Sequence, residues 1–290
     1  MRFFIDKKSR IIVHGINNVL GKSITKEYPK KDINLVGGVE PGKGGSWGVD
    51  GRIPVFDSMQ TAVKALSPDT VIITVRSFYA YQAIIESIDS GVETIICFTQ
   101  GIPLKDLVKI RSLLNSRKNT NFIGPNTFGI IRPGNFILGA NHWLEIRKGR
   151  IGIIAYCDQI ATEAAHILVE NGFGLSTALG LGGRCNVGVR LLDLLQRFNQ
   201  DPETDSIILL ENAVGTYDQE TYAFISEIIS KPVVSYLPGI KNPDERLNPS
   251  SGSKDRRFFE QYLLKMNAIK NAGIPMLNNL LELSDNLKNL

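Results

Sequence analysis

Four short segments carry residue types able to hold an anion. Gly37-Gly38-Val39-Glu40-Pro41-Gly42-Lys43-Gly44-Gly45 is one hydroxyl short of a phosphate-binding P-loop, whose pattern is Gly, four residues, Gly-Lys and then Ser or Thr. Gly44 stands where the Mg²⁺-binding hydroxyl belongs. The residues that follow, Gly45-Ser46-Trp47-Gly48-Val49-Asp50-Gly51, hold too much glycine to open the helix that such a lysine must precede. Triphosphate hydrolysis at this loop is therefore excluded. What remains is a loop suited to a phosphate held by backbone N–H groups and the point charge of Lys43, or a bare turn with a solvated lysine. His14-Gly15-Ile16-Asn17-Asn18-Val19-Leu20-Gly21 keeps only Gly15 and Gly21, the outer glycines of a dinucleotide fingerprint. Asn18 replaces the middle one, and asparagine tolerates positive φ better than most residues. Gln100, in Thr99-Gln100-Gly101-Ile102-Pro103, and Asn126, in Gly124-Pro125-Asn126-Thr127-Phe128-Gly129, complete the set. Each of these segments also reads as a simple turn.

The elements that must position these loops alternate. Apolar runs rich in Val and Ile at 11–13, 34–36, 71–75 and 94–97 read as buried parallel strands. Amphipathic stretches at 58–66, 79–90 and 105–117 read as the helices between them. In such α/β sheets ligands collect at the carboxyl ends of the strands, where all four segments fall. The rhythm breaks at the turn cluster Arg132-Pro133-Gly134-Asn135 and the basic stretch 142–150, so a domain boundary is expected near residue 145, dividing 1–145 from 146–290. Alternation then resumes, with strands at 151–155, 175–181, 206–210 and 233–237. Helices are expected at 160–171, 189–199, 219–229 and 258–272, and a last short one at 277–290. Residues 240–257 are the longest loop expected.

Composition narrows the classes. The chain has 290 residues, is 43% hydrophobic and 21% charged, and carries a net charge of +4. That charge is too mild to imply nucleic acid, and slightly favours a small anionic ligand. No apolar run reaches the length of a membrane span and no secretory leader is recognised, so a cytoplasmic protein without membrane contact is expected. Cys97, Cys157 and Cys185 are too scattered for a disulfide framework or a zinc site, and no metal is expected.

Taken in order, the patterns VxGxxxxxG, VGGVxPGKGG, GxPVFDS, TQGIP and GPNxxGII, continued by DPETDSIILLEN, KPVVSYLPG and NAGIPMLNNLLEL, resemble the α-subunit family of succinyl-CoA synthetase (succinate–CoA ligase). The likeness covers essentially the whole chain. It implies a Rossmann-like CoA-binding domain followed by a flavodoxin-like doubly wound α/β domain. It further implies coenzyme A or an acyl-CoA as ligand. Gly15, Asn17, Asn18, Gly21 and Lys43 would hold its nucleotide and phosphates, and Gln100 and Asn126 would border the pantetheine arm. ATP or GTP would reach the reaction only through an ATP-grasp β-type partner chain, with a homo-oligomer as the other assembly considered.

The same comparison exposes departures in the second half. The family's reaction passes through a phosphohistidine in a GHAG loop, and that position falls at or next to Pro249, which has no nucleophile. His14, His142 and His166 all lie out of register with it. The family's glutamate in GEIGG aligns with Asn212, leaving Glu211 one residue early and a doubtful substitute, because a one-residue shift at a strand end turns the side chain to another face. The family's SRSGT, whose helix N-terminus cradles phosphate, reads Ala155-Tyr156-Cys157-Asp158-Gln159 here. Asp158 is expected to cap that helix itself and to repel an anion. The sequence thus points to a CoA-binding relative without phosphohistidine thiokinase chemistry, acting as a regulatory or scaffolding subunit or in another acyl or carbamoyl transfer. An active acid–CoA ligase subunit and a non-catalytic interaction protein are the alternatives.

Overall fold

The computed structural model describes residues 4–26, 28–117, 119–183, 187–212, 219–239 and 253–288. Expectations about Pro249, its neighbouring loop 240–252, and Cys185 fall outside them. Among the described residues the strands form two seven-stranded sheets.

The first half runs β1 (Arg10–His14), α1 (Val19–Thr25), β2 (Asn34–Val39), β3 (Trp47–Gly48), β4 (Ile53–Phe56), α2 (Met59–Leu66), β5 (Thr70–Ile73), α3 (Ser77–Asp89), β6 (Thr94–Cys97), α4 (Leu104–Ser116) and β7 (Asn121–Ile123). Its sheet order is β3-β4-β2-β1-β5-β6-β7. The central strands β1, β5 and β6 are parallel, and every residue of β5 and β6 is buried. That is why they read as unbroken apolar runs rather than as alternation. Each aliphatic side chain buried there contributes about 1.5–3 kcal/mol. The antiparallel edge pair β3–β4 was not legible: β3 has two residues and β4 contains Pro54, which cannot donate to a ladder.

The second half follows as β8 (Ile130–Arg132), β9 (Phe136–Leu138), β10 (Lys148–Ala155), α5 (Asp158–Glu170), β11 (Leu175–Gly180), α6 (Leu191–Gln200), β12 (Ser206–Leu210), α7 (Gln219–Ile228), β13 (Val233–Tyr236), α8 (Ser253–Asn271), β14 (Met276–Leu277) and α9 (Leu283–Lys288). Its sheet order is β14-β13-β12-β10-β11-β8-β9, a doubly wound parallel core with an antiparallel hairpin added at one edge. The hairpin joins the second sheet. β8 pairs with β11 although both its strands precede residue 145, so the change of sheet falls between Ile123 and Ile130. The turn cluster at 132–135 closes a hairpin rather than separating two units. Two other expectations change: α8 starts at Ser253, inside the stretch read as loop, and the expected last helix is divided into β14, a 3₁₀ turn at Leu280–Glu282 and α9.

Specific bonds tie the two sheets together. The buried ammonium of Lys31 donates to the carbonyls of Ile24 in α1 and Gly139 after β9, at 2.8 and 2.9 Å. Val189 N donates to Phe122 O at 2.8 Å, and Gly183 N donates to Pro125 O at 3.1 Å. Among the described residues no helix is long and apolar enough to cross a membrane.

Candidate functional site

In each sheet the chain reverses its order of travel at one strand. β1 lies between β2 and β5, and β10 lies between β11 and β12. Ligands of doubly wound sheets bind beyond the carboxyl ends at such points. A cavity of about 720 Å³ lies there, lined from the first half by Asn18, Val19, Thr74, Arg76 and Gln100 and from the second by Tyr156, Cys157 and Asp158, with Asn126 between them. Its size is ordinary for a cofactor site.

The loop after β1 is held by its own residues. Gly15, at φ +91°, donates its N–H to Val39 O at 2.8 Å, and an added Cβ would lie 2.7 Å from the Asn18 amide. Asn18 does not adopt the positive φ that its place in the glycine pattern suggested. It is extended (φ −76°, ψ 170°) and caps α1, accepting from Gly21 N at 2.7 Å while its amide nitrogen donates to Thr74 O at 2.7 Å. Both polar ends of Asn18 are thereby used, so it shapes the loop. Thr74 completes the lock, its hydroxyl meeting the carbonyls of His14 and Gly15 at 2.9 and 3.0 Å. Asn18→Ala is expected to lower stability by about 1–2 kcal/mol and to weaken ligand binding in parallel, checked by denaturant unfolding and CoA titration.

Two other expected site residues lie apart from this cavity wall. Asn17 turns its N–H to Glu40, 3.3 Å from Oε2. Lys43 is exposed, in a loop whose N–H groups are already occupied. Asp57 Oδ1 accepts from Gly42 N and Gly44 N, each at 2.8 Å; Lys43 N donates to Glu40 O and Gly45 N to Val55 O. The loop therefore offers an anion the Lys43 ammonium and not a backbone nest. Asp57 carried no signal in the sequence, since its role depends on β4 lying beside β2. Thr74 and Arg76 were also missed; the signal was their place just after β5.

His14, the last residue of β1, is buried with Nε2 3.5 Å from the Glu86 carboxylate, a contact that lowers the Glu86 pKa from its ordinary value.

On the second half, Asp158 is the first residue of α5, and Cys157 makes no side-chain capping bond. The expected self-cap is absent. The Asp158 carboxylate instead accepts from Trp143 Nε1 at 3.3 Å and Thr162 Oγ1 at 3.4 Å, and lies 3.6 Å from His142 Nε2. It still brings negative charge to the cavity wall. His142 and His166 line a separate cavity of about 560 Å³ on the flank of α5, which Asp158 also borders. Glu211, the residue just after β12, is buried with both oxygens engaged: Tyr222 OH donates to one at 2.7 Å and Lys265 Nζ to the other at 2.8 Å. Both oxygens are thus bound to neighbours within the second half, which ties Glu211 to α7 and α8. Arg190, at the start of α6, forms an ion pair with Asp193 at 3.0 Å.

The two described cysteines should behave differently. Burial pushes the Cys97 thiol up to about 12, whereas Cys157 is half-buried at the cavity wall. Iodoacetamide at pH 8 should label Cys157 and spare Cys97, and saturating CoA should slow labelling at Cys157; peptide mapping reads both.

Residues 6–101 match the family described as CoA binding domain, and residues 148–290 the succinyl-CoA ligase like flavodoxin domain. The two matches define a CoA-binding domain joined to a ligase-type flavodoxin domain. The chain belongs to the succinate–CoA ligase α-subunit family. It is 33% identical over 280 residues to the succinate–CoA ligase [ADP-forming] subunit alpha of Aquifex aeolicus, covering 96% of this chain and 91% of that one. It is 36% identical over 256 residues to the malate–CoA ligase subunit alpha of Methylorubrum extorquens, covering 87% and 86%. Among solved structures, Methanosaeta concilii ATP citrate lyase in complex with (3S)-citryl-CoA superposes with a TM-score of 0.78 at 18% identity, over 98% of this chain and 50% of that one. The dinucleotide-forming acetyl-coenzyme A synthetase 1 of Ca. Korarchaeum cryptofilum superposes with a TM-score of 0.76 at 17% identity, over 96% and 60%. The chain thus spans about half the length of these solved proteins, and they support the fold.

Proposed function

We propose that this chain is the CoA-carrying, α-type subunit of an acid–CoA ligase-like assembly, and that no histidine of its own relays phosphate. The observation that carries this reading is where the histidines lie. After His166 the sequence contains none. His14 is buried against Glu86, and His142 and His166 border the flank of α5. The first half supplies the nucleotide end of the CoA site through residues 15–21 and Lys43. The cavity between the switch points takes the pantetheine arm, with Gln100 and Asn126 at its wall. A β-type chain with an ATP-grasp domain supplies nucleotide; self-association is the other assembly.

Two measurements test this. Calorimetric titration should show saturable CoA binding that Lys43→Ala weakens by about three- to tenfold, the modest loss expected of one exposed cation. Absence of binding would favour a purely protein-binding role. Incubation of the complete assembly with labelled nucleoside triphosphate should leave this chain without the acid-labile, base-stable phosphoryl group of a phosphohistidine. Its appearance overturns the proposal. The α5 N-terminus, lacking a side-chain cap, favours one second reading, an active ligase subunit with an altered acceptor, which predicts triphosphate-dependent acyl-CoA formation.

A further inference from the structure

A cavity of about 330 Å³ lies where α4 of the first half meets the segment leading into α6 and the start of α7. Ligand sites span about 300–1,000 Å³, so this one suits a small molecule. Its walls carry two guanidiniums, Arg111 on α4 and Arg190 just before α6, and no carboxylate among the described lining residues. Asn115 stands one turn beyond Arg111 on the same face of α4. Tyr222 gives its hydroxyl to Glu211 and so offers this cavity a ring wall. Tyr156 is common to the walls of this cavity and of the larger one between the sheets.

The two arginines differ. Arg190 meets the two oxygens of Asp193 through Nε at 3.2 Å and Nη2 at 3.0 Å, which orients its guanidinium and offsets part of its charge. Arg111 has no hydrogen-bond or ion-pair partner among the described residues. Positive charge brought into one concavity from two facing walls, with no carboxylate between them, attracts an anion more strongly than the same charges on open surface. The planar guanidinium fork pairs with carboxylate or phosphate oxygens in particular. We infer that this cavity binds a small oxyanion, a carboxylate or a phosphate, gripped by Arg111 and Asn115 from the first half and by Arg190 from the second. The anion bridges the two halves beside the larger cavity. The site is separate from that cavity and stands whether or not the CoA reading does.

The probes are succinate and inorganic phosphate, titrated calorimetrically into the full chain at matched ionic strength, with and without saturating CoA. Comparing the two tells a carboxylate site from a phosphate site. Saturable binding of at least one is expected, and it should persist with CoA present because the two cavities are distinct. Arg111→Ala and Arg190→Ala should each weaken it about tenfold. Asp193→Asn should tighten it about threefold, since the amide keeps an oxygen for Arg190 N but no longer offsets the guanidinium; a variant that merely loosened the fold would weaken binding instead. Lys105→Ala, which removes an exposed cation of α4 outside the cavity, should leave the affinity unchanged. Binding of neither probe, loss of binding when CoA is present, or equal effects of Arg111→Ala and Lys105→Ala overturns the inference. Failure of CoA itself to bind would count against the CoA reading alone.

Discussion

Gly21→Ala should abolish saturable CoA binding in the millimolar range and lower stability by about 2–4 kcal/mol. A Cβ at this position would lie 2.2 Å from the carbonyl oxygen of Gly15 and 2.9 Å from that of Ile16. Both obstacles are backbone, so no rotamer change relieves them. Room can be made only by moving the first turn of α1 away from the β1 loop. That movement breaks the Gly21 N–Asn18 bond and, through Asn18, the link to Thr74. The loop is thus one interlocked piece in which Gly21 sets the closest approach. Gly42→Ala is the control. Nothing lies within 4 Å of its added Cβ, and its φ of +78° alone should cost about 1–2 kcal/mol. Denaturant unfolding and CoA calorimetry separate the cases. Unchanged CoA affinity in Gly21→Ala, in a folded protein, would mean that this loop does not carry the ligand.

What the sequence disclosed follows from which contacts are local. β5 and β6 are buried on both faces, so Val71-Ile72-Ile73 and Ile95-Ile96-Cys97 stood out as apolar runs. The helix starting after Ser58 was legible because its cap is three residues from Thr61 N. The place of Gly15 and Gly21 was legible because close backbone approach leaves a glycine in the sequence. Contacts set by distant partners were not. Asp57 fills the 42–45 loop because β4 pairs with β2, and nothing in GGVEPGKGG itself announces that carboxylate. Asp158 looks like a helix cap in isolation, but Trp143 and Thr162 draw it aside. Arg132-Pro133-Gly134-Asn135 is a turn signal in any context. Only the pairing of β8 with β11 shows that it closes a hairpin on the second sheet. The anion-handling chemistry suggested by sequence therefore needed correction at the residues whose partners lie far along the chain.

The second large effect is expected at the Glu211–Lys265 pair. Their side chains are 0% and 5% exposed, and Lys265 also donates to Asn212 O at 2.9 Å while its ammonium lies 5.5 Å from the Tyr156 ring centre. Lys265→Met removes the cation and leaves a buried carboxylate held by the Tyr222 hydroxyl, at a cost of about 3–5 kcal/mol. Glu211→Gln combined with Lys265→Met removes both charges, and because desolvating the pair offsets most of its attraction, the double variant should recover much of that loss. Denaturant midpoints of the native, single and double variants complete the cycle. A cost below about 1 kcal/mol for Lys265→Met would mean that water reaches the carboxylate or that another cation replaces the lysine. The result bears on function because Tyr156 borders the cavity between the two sheets, as well as a smaller one that Tyr222 lines. A carboxylate committed to Lys265 and Tyr222 fixes the ends of β12, α7 and α8 around these cavities. The double variant should therefore keep CoA binding wherever it keeps the fold, which separates a structural pair from one that handles phosphate.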